Sequence, residues 1–253
     1  MGVGDAHCQR ADAGRVMAAS GVVRPSLPGG PGSAYGIDLD RVGPTEPVVT
    51  RLRRRVQGRY PLDAFGGDPL LEDAMEPALS ALSTFVVEGE ERIPEIGAAT
   101  FVVSRRPGPG DPLIVRSMIR AVRRRRARIV GYPDLPPVGP ILRRLGYVRF
   151  KGEDLAVCLR SGHLAIVPLG SSLRSDKVGS ASVPVLWGAI GFPIIPVVVR
   201  GGYAGPLGLP VGPHRITVGA PLDLDLIPRD PLSAAELGAS AREAVQALLD
   251  DTA

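Results

Sequence analysis

The feature that most constrains the fold of this chain is an alternation of short apolar strands with amphipathic helices from Ala98 onward. The segment AATFVVS is typical of a buried strand, and apolar residues from Leu113 to Val122 then recur at helical spacing. Regular alternation of this kind predicts an α/β domain with a mostly parallel central sheet and helices on both faces. Any ligand site is then expected at the carboxyl ends of the strands. Further strands are expected at 128–130, 147–150, 163–168, 194–199 and 215–220.

Capping residues and helix breakers set the expected helix boundaries. Asp111, followed by a proline, is suited to begin the helix after the first strand. Gly146 and Gly162 are placed to end two later helices, and Ser233 with Glu236 forms a capping box that opens the last one. Other helices are expected at 69–86, where Pro77 should kink or divide the helix, and at 138–145, 153–160 and 183–190.

The amino-terminal part differs in composition from the rest of the chain. Residues 1–50 are rich in Gly, Pro, Ala and Ser without periodicity, which predicts a flexible, disordered tail. Residues 51–94 have a helical pattern and precede the strands. We therefore expect one α/β domain at 51–253, with 51–94 as its helical lead-in.

Arginine dominates the charge of the chain. The formal net charge is +4 and the pI is near 9.4, and arginines cluster at 51–55 and 123–126. Such clusters are candidate contacts for phosphate, nucleic acid or an anionic membrane surface. The run at 123–126 continues a helix pattern, so a solvated helix end is its default interpretation. Aromatic residues make up only 4% of the chain and no stacking motif accompanies the arginines, which disfavours nucleic acid.

Cysteine usage and targeting patterns bear on the compartment. Cys8 and Cys158 have neither the spacing of a zinc site nor the density of a disulfide scaffold. No signal-peptide pattern is present, and proline and glycine interrupt the uncharged stretch from Val178 to Val199, which favours a short helix and a strand over a membrane span. We expect a cytoplasmic protein without metal or cofactor, with peripheral contact at the inner face of the membrane as an alternative.

Common catalytic signatures do not occur in the sequence. There is no Walker A loop, dinucleotide-binding glycine motif, nucleophile elbow or metal-spaced His/Cys cluster. His7 lies in the tail, His163 lies at the start of its strand, and His214 precedes a later strand. Both strand histidines are therefore expected at the amino ends of strands, away from the ligand edge, with structural roles.

Five segments between Arg59 and Gly202 occur in a characteristic order. They are YPLDAFGGDPLLEDAMEPAL, VVSRRPGPGDPL, PPVGPILRRLGYVRF, VPLGSSLRS and IIPVVVRGG. This order resembles the glycerol-3-phosphate/1-acylglycerol-3-phosphate acyltransferase (phospholipid/glycerol acyltransferase) family, in particular its actinobacterial members. The match is best at scaffold positions such as Gly146, Pro168 and Pro196. The resemblance implies the family's α/β fold and a role in phospholipid metabolism.

The reactive positions of that family are less well matched. The resemblance implies a catalytic histidine and an aspartate after the first strand, where this chain has Arg106 and Asp111. Leu169 replaces the family's glutamate, and Gly152 falls where an arginine usually ends the second block. The candidate substrate-binding residues that follow from the resemblance are Arg106, Gly170, Ser171, Ser172, Arg174 and Lys177.

Replacement of the histidine bears directly on activity. Acyl transfer from a thioester to an alcohol requires a base that works near neutral pH, and an arginine side chain, with a pKa above ~12, cannot serve. Loss of a general base lowers a rate by about a hundred- to ten-thousandfold. Asp111 then has three interpretations: a helix cap, a remnant of a catalytic pair, or an ion-pair partner of Arg106.

Three functions remain open on the sequence. The first is an acyltransferase-like pseudoenzyme, catalytically impaired, that retains a pocket for a lysophospholipid or an acyl donor. The second is an active lysophospholipid acyltransferase with a non-standard site, using acyl-CoA or acyl carrier protein as the donor. The third is a basic nucleic-acid-binding protein, which the composition disfavours.

Overall fold

The computed structural model describes most of the chain from residue 49 onward. The described residues are 49–50, 53, 56–58, 62–63, 65–104, 110–132, 138–169, 183–205, 209–222 and 233–251. The tail expected at 1–50 lies outside them apart from residues 49 and 50, so its disorder remains a prediction.

The elements expected from Ala98 onward are all present in the described residues. Three strands, β3, β6 and β7, are longer than the sequence pattern predicts. The strands are β1 (Ser83–Glu88), β2 (Ala99–Ser104), β3 (Ala127–Tyr132), β4 (Tyr147–Arg149), β5 (Leu164–Leu169), β6 (Ile194–Ala204) and β7 (Leu209–Val218). The α-helices are α1 (Pro69–Leu82), α2 (Gly110–Arg123), α3 (Val138–Arg144), α4 (Gly152–Arg160), α5 (Val183–Leu186) and α6 (Ser233–Asp251), with short 3-10 helices at Glu90–Arg92 and Trp187–Ala189.

Seven strands of the described chain form one sheet in the order β1-β7-β6-β2-β5-β3-β4. The five strands from β6 to β4 in this order run parallel to one another. β7 is antiparallel to β6, and β1 is parallel to β7, so two strands at one side run in the reverse direction. The predicted mostly parallel sheet is confirmed, with a reversed pair at one side.

Helices cover both faces of this sheet, as the alternation predicts. One face packs against α2, and its apolar cluster, which we call the α2-side cluster, includes Ile114, Met118, Phe101, Ile166 and Ile216. The other face packs against α4, α5 and α6, and its α5-side cluster includes Leu155, Val167, Leu169, Leu186 and Val245. Because alternate residues of a strand point to opposite faces, β5 contributes to both clusters. The α/β class is therefore confirmed.

The segment before β2 corrects one expectation. The helix was expected to run to Val86, but α1 ends at Leu82 and the following residues form β1. Phe85 and Val87 are half-buried between exposed neighbours, which is the two-residue period of a strand and is easily hidden in a short segment after a helix. Pro77 lies inside α1 without dividing it.

The expectation that the arginines at 123–126 form a solvated helix end is wrong for Arg125 and Arg126. α2 ends at Arg123, and Arg124 has a left-handed backbone with φ of 51°. Arg125 is buried and donates to the carbonyl oxygens of Gly97 and Gly162 at 2.8 and 2.9 Å. Arg126, also buried, lies 2.9 Å from an Asp73 carboxylate oxygen. These two side chains join parts of the domain, so they are poor candidates for a lipid or nucleic-acid surface.

Arg128 joins the lead-in segment to the sheet. Its side chain is 1% exposed, lies against the Asp63 carboxylate, and donates from Nη1 to Glu72 Oε1 at 2.8 Å. The Asp63 Oδ1 atom also accepts from the backbone N–H groups of Phe65 and Gly67 at 2.8 and 2.7 Å. Asp63, the first acidic residue of the YPLDAFGGD segment, thus organises a turn and binds the buried Arg128 cation, which is a structural role.

Tyr147, the first residue of the edge strand β4, provides a test of side-chain burial. Burial raises the pKa of its phenol, and the nearby Arg116 guanidinium lowers it in part. The unfolded phenol ionises at a pH of about 10, whereas the folded one resists ionisation, so this contribution to stability is complete below pH ~10 and is lost above it. We expect the stability of the parent relative to Tyr147→Phe to fall between pH 9 and pH 11 in urea unfolding experiments. Parallel stability curves for the two proteins would contradict a buried phenol.

Candidate active site at the carboxyl edge of the sheet

The carboxyl ends of the parallel strands bring the ends of β2 and β5 together. Ser104, the last residue of β2, is paired with Leu169, the last residue of β5. α2 follows β2 in the chain, and Asp111 lies in its first turn with only 2% of its surface exposed. A carboxylate in this place is favoured by the partial positive charge of the helix amino terminus. Asp111 is therefore located at the edge where the fold predicts a ligand site.

A tyrosine from another part of the chain contacts this aspartate. Tyr203 donates a hydrogen bond from its hydroxyl group to Asp111 Oδ1. β6 pairs with β2 only as far as Val197, and its remaining residues pair with β7 alone. The β6–β7 hairpin therefore extends past the carboxyl edge of the parallel strands and places Tyr203 beside the start of α2.

The ring of His214 packs against the ring of Tyr203. Its ring is buried and lies edge-on to the Tyr203 ring, with centroids 5.5 Å apart and an interplanar angle of 75°. The imidazole Nδ1 and Nε2 atoms lie 3.0 and 3.1 Å from the carbonyl oxygens of Gly212 and Gly202. A Cβ atom at Gly201 would lie 2.1 Å from the imidazole, so only glycine fits there. We call Asp111, Tyr203 and His214 the Asp111 cluster.

The location of His214 corrects the sequence analysis. It lies within β7 rather than before a strand, and the expectation that it lies away from the ligand edge is wrong. That expectation assumed that every strand runs in the same direction. Because β7 is antiparallel to β6, the first half of β7 lies at the edge where β2 and β5 end. Tyr203 was missed for the same reason, although the pair of glycines before it is a signal for a close approach or a bend.

The remaining predicted site residues fall into two groups. Arg106, Gly170, Ser171, Ser172, Arg174 and Lys177 lie outside the described residues, so their roles as substrate contacts remain predictions. His163 directly precedes β5, at the amino end of that strand, and its ring packs edge-on against Phe65 at 5.5 Å. This position agrees with the structural role expected for His163.

Leu169 does not face the Asp111 cluster. Its side chain is 2% exposed and belongs to the α5-side cluster, whereas α2, which contains Asp111, packs on the opposite face. A longer polar side chain at this position would lie among the apolar side chains of the α5-side cluster. The structure therefore separates the two positions at which the family's reactive residues were sought, Asp111 and Leu169.

Two further features concern possible metal and membrane binding in the described part of the chain. Within it, no group of three or more His, Cys, Asp or Glu residues could hold a metal ion. No helix among the described residues is both long enough and apolar enough to span a bilayer. From Val183 to Val199, the described part of the uncharged stretch forms α5, a 3-10 helix and the first half of β6, close to the short helix and strand that were expected.

Comparison with known proteins supports the fold. No family model matches the sequence, and no curated protein matches it. Among solved structures, the chain is similar to the crystal structure of the 1-acyl-sn-glycerophosphate (LPA) acyltransferase PlsC from Thermotoga maritima. The TM-score is 0.52 at 20% sequence identity, over 81% of this chain and 87% of that one. The structure thus agrees with the fold that the sequence resemblance implies: this chain has the same fold as that acyltransferase.

Proposed function

We propose that the domain at 51–253 is a phospholipid/glycerol acyltransferase-like protein that binds a lysophospholipid and an acyl donor, acyl-CoA or acyl carrier protein, and transfers the acyl group poorly. It acts in the cytoplasm or at the inner face of the membrane. Arg106, Gly170, Ser171, Ser172, Arg174 and Lys177 contact the substrates.

The observation that supports this proposal most directly is the partner of Asp111. The fold is that of an acyltransferase, and Asp111 lies at the carboxyl edge of the sheet, where such a fold binds its ligand. Asp111 accepts a hydrogen bond from the phenol of Tyr203, and Arg106 occupies the sequence position of the family's histidine. Neither a phenol nor a guanidinium is a good base near neutral pH, because their pKa values lie near 10 and above 12.

Binding and acyl transfer are measured separately to test the proposal. We expect the purified protein to bind lysophosphatidate and oleoyl-CoA, and to transfer radiolabelled oleoyl groups slowly. Arg106→His should raise the rate by about tenfold or more, because a positioned base typically contributes a hundred- to ten-thousandfold. Arg105→His, the same change one position earlier, is the matched control and should leave the rate unchanged.

Two results would contradict the proposal in different ways. Rapid transfer by the unmodified protein, lost in Asp111→Asn and not increased by Arg106→His, would show an active enzyme with a non-standard site. Binding of neither lysophosphatidate nor oleoyl-CoA by a folded protein would remove the proposed ligand class altogether.

A further inference from the structure

We propose that the carboxyl edge of the sheet docks on a phospholipid bilayer through two exposed aromatic residues, Phe150 and Trp187. The inference rests on the proposed function and names the partner that this edge of the sheet faces. Phe150 is 36% exposed and Trp187 is 42% exposed. Neither residue is among the predicted substrate contacts, so the surface adds to the site instead of repeating it.

Both side chains lie beside the turn that joins β4 to α4. Phe150 directly follows β4, and a Cβ atom added at Gly131, near the end of β3, would lie 3.3 Å from its ring. A Cβ atom added at Gly152, the first residue of α4, would lie 2.3 Å from the indole nitrogen of Trp187. Because Phe150 and Gly152 are two residues apart, the two rings lie next to the same short turn.

This turn lies at the edge of the sheet that contains the candidate site. β2, β5, β3 and β4 run parallel, so β4 ends at the same edge as β2, which precedes Asp111, and β5, which precedes the predicted substrate contacts. The acyl chain of a lysophospholipid partitions into a bilayer. An edge that receives such a ligand is therefore well placed if it faces the lipid surface.

The size and chemistry of the patch fit a bilayer better than a protein partner. Tryptophan is enriched where a membrane meets water, because its ring is apolar and its N–H group is polar. The exposed parts of the two rings amount to roughly 150–200 Å², whereas a stable protein interface buries about 600 Å² or more on each partner. Two rings are sufficient for shallow and reversible insertion at a lipid surface.

The charges around the turn balance, so the rings supply the specific contact. Lys151 and Glu153 are both exposed. The Arg149 Nε atom lies 2.9 Å from Asp154 Oδ2. The chain as a whole has a formal charge of +4, which attracts it to an anionic bilayer without directing it to one site. A bilayer with a modest fraction of anionic lipid is therefore the partner that fits.

Trp187 can report its own contact with lipid, because it is the only tryptophan in the chain. The probes are vesicles of phosphatidylcholine with one-fifth phosphatidylglycerol, in which the phosphatidylcholine either carries bromine on its acyl chains or does not. We expect the fluorescence of Trp187 to shift to shorter wavelength as lipid is added to millimolar concentration. The brominated vesicles should quench this fluorescence, because bromine quenches only an indole that it approaches closely.

Two variants and a matched control test the role of the patch. Phe150→Ser should raise the lipid concentration at half-saturation by about three- to tenfold, because it removes the apolar surface of one ring. Lys151→Glu should also weaken binding, and the Lys151 side chain makes no capping hydrogen bond to α4 that this change would remove. Val86→Ser is the control, because Val86 is 66% exposed on β1, at the opposite end of the sheet, and should bind vesicles like the parent.

Three outcomes would overturn the inference. They are an unchanged Trp187 spectrum in the presence of lipid, co-sedimentation with vesicles without quenching of Trp187, and equal effects of Phe150→Ser and Val86→Ser. Each of them leaves the proposed function in place if the protein binds lysophosphatidate and oleoyl-CoA below their critical micelle concentrations. A folded protein that binds neither of these ligands overturns the proposed function, and the inference falls with it.

Discussion

Arg128→Met is expected to lower the free energy of unfolding by about 3–5 kcal/mol, as removal of one partner of a buried ion pair does. The Arg128 side chain is 1% exposed, and those of its two acidic partners, Asp63 and Glu72, are 3% and 5% exposed. Methionine has nearly the same length without the charge, so the change leaves two carboxylates in a place that water does not reach. Urea unfolding followed by circular dichroism measures the loss.

A matched arginine elsewhere separates burial from ion pairing as such. Arg149 pairs with Asp154 at 2.9 Å, but its side chain is 45% exposed, so Arg149→Met should cost at most about 1 kcal/mol. Asp63→Asn added to Arg128→Met should recover part of the loss, since it removes the charge that loses its ion-pair partner, whereas Glu72 Oε2 still lies 3.8 Å from Arg126 Nε. Equal losses for Arg128→Met and Arg149→Met would show that the Arg128 pairs are accessible to solvent.

This ion-pair network marks a limit of sequence analysis. The arginines after α2 were expected to lie in solvent because charge runs at helix ends usually do. Their partners are distant in sequence: Asp73 for Arg126, and Gly97 and Gly162 for Arg125. Periodicity reports the local structure of a segment but not which buried carboxylate or carbonyl oxygen will meet its charged side chain. The buried positions of Arg125 and Arg126 could therefore be found only from the folded structure.

The strands and helices were predictable because their signals are local. Apolar runs identified the central strands, and glycines ended helices where left-handed backbone was required, as Gly146 and Gly162 show with φ of 81° and 86°. β1 was missed because it follows α1 without a break and the apolar residues on its inner face, Phe85 and Val87, are only half-buried. A strand of this kind is stabilised by its pairing with β7, which the sequence of β1 does not reveal.

The candidate site was predicted only in part, because only some of its signals are local in sequence. Asp111 was located correctly after the first central strand, because the strand, the aspartate and the helix are consecutive in the sequence. Its partner Tyr203 depends on the reversal of direction between β6 and β7. Strand patterns have no direction, so the assumption of a parallel strand placed His214 at the wrong edge and gave no reason to consider Tyr203.

Leu169→Glu, which would reintroduce the family's glutamate, is expected to cost about 3 kcal/mol or more of unfolding free energy at neutral pH. The Leu169 side chain is 2% exposed and packs in the α5-side cluster with Val167, Val185 and Leu186. These neighbours offer a carboxylate no hydrogen bond. Burial raises the pKa of a carboxyl in such a place, so the penalty should be smaller at pH 4, where the unfolded glutamate is also largely protonated, and should grow as the pH rises.

Two substitutions at the same position distinguish charge from shape. Leu169→Met keeps the volume and should cost less than about 1.5 kcal/mol, and Leu169→Gln has the shape of glutamate without its charge and should lie between the two. Urea unfolding at pH 4 and pH 7 measures all three, and only Leu169→Glu should depend strongly on pH. A Leu169→Glu protein as stable as Leu169→Met at pH 7 would mean that the side chain reaches water. If Leu169→Glu is instead the less stable protein, glutamate cannot be restored at position 169 without destabilising the α5-side cluster, because this position lies on the face of the sheet opposite to Asp111.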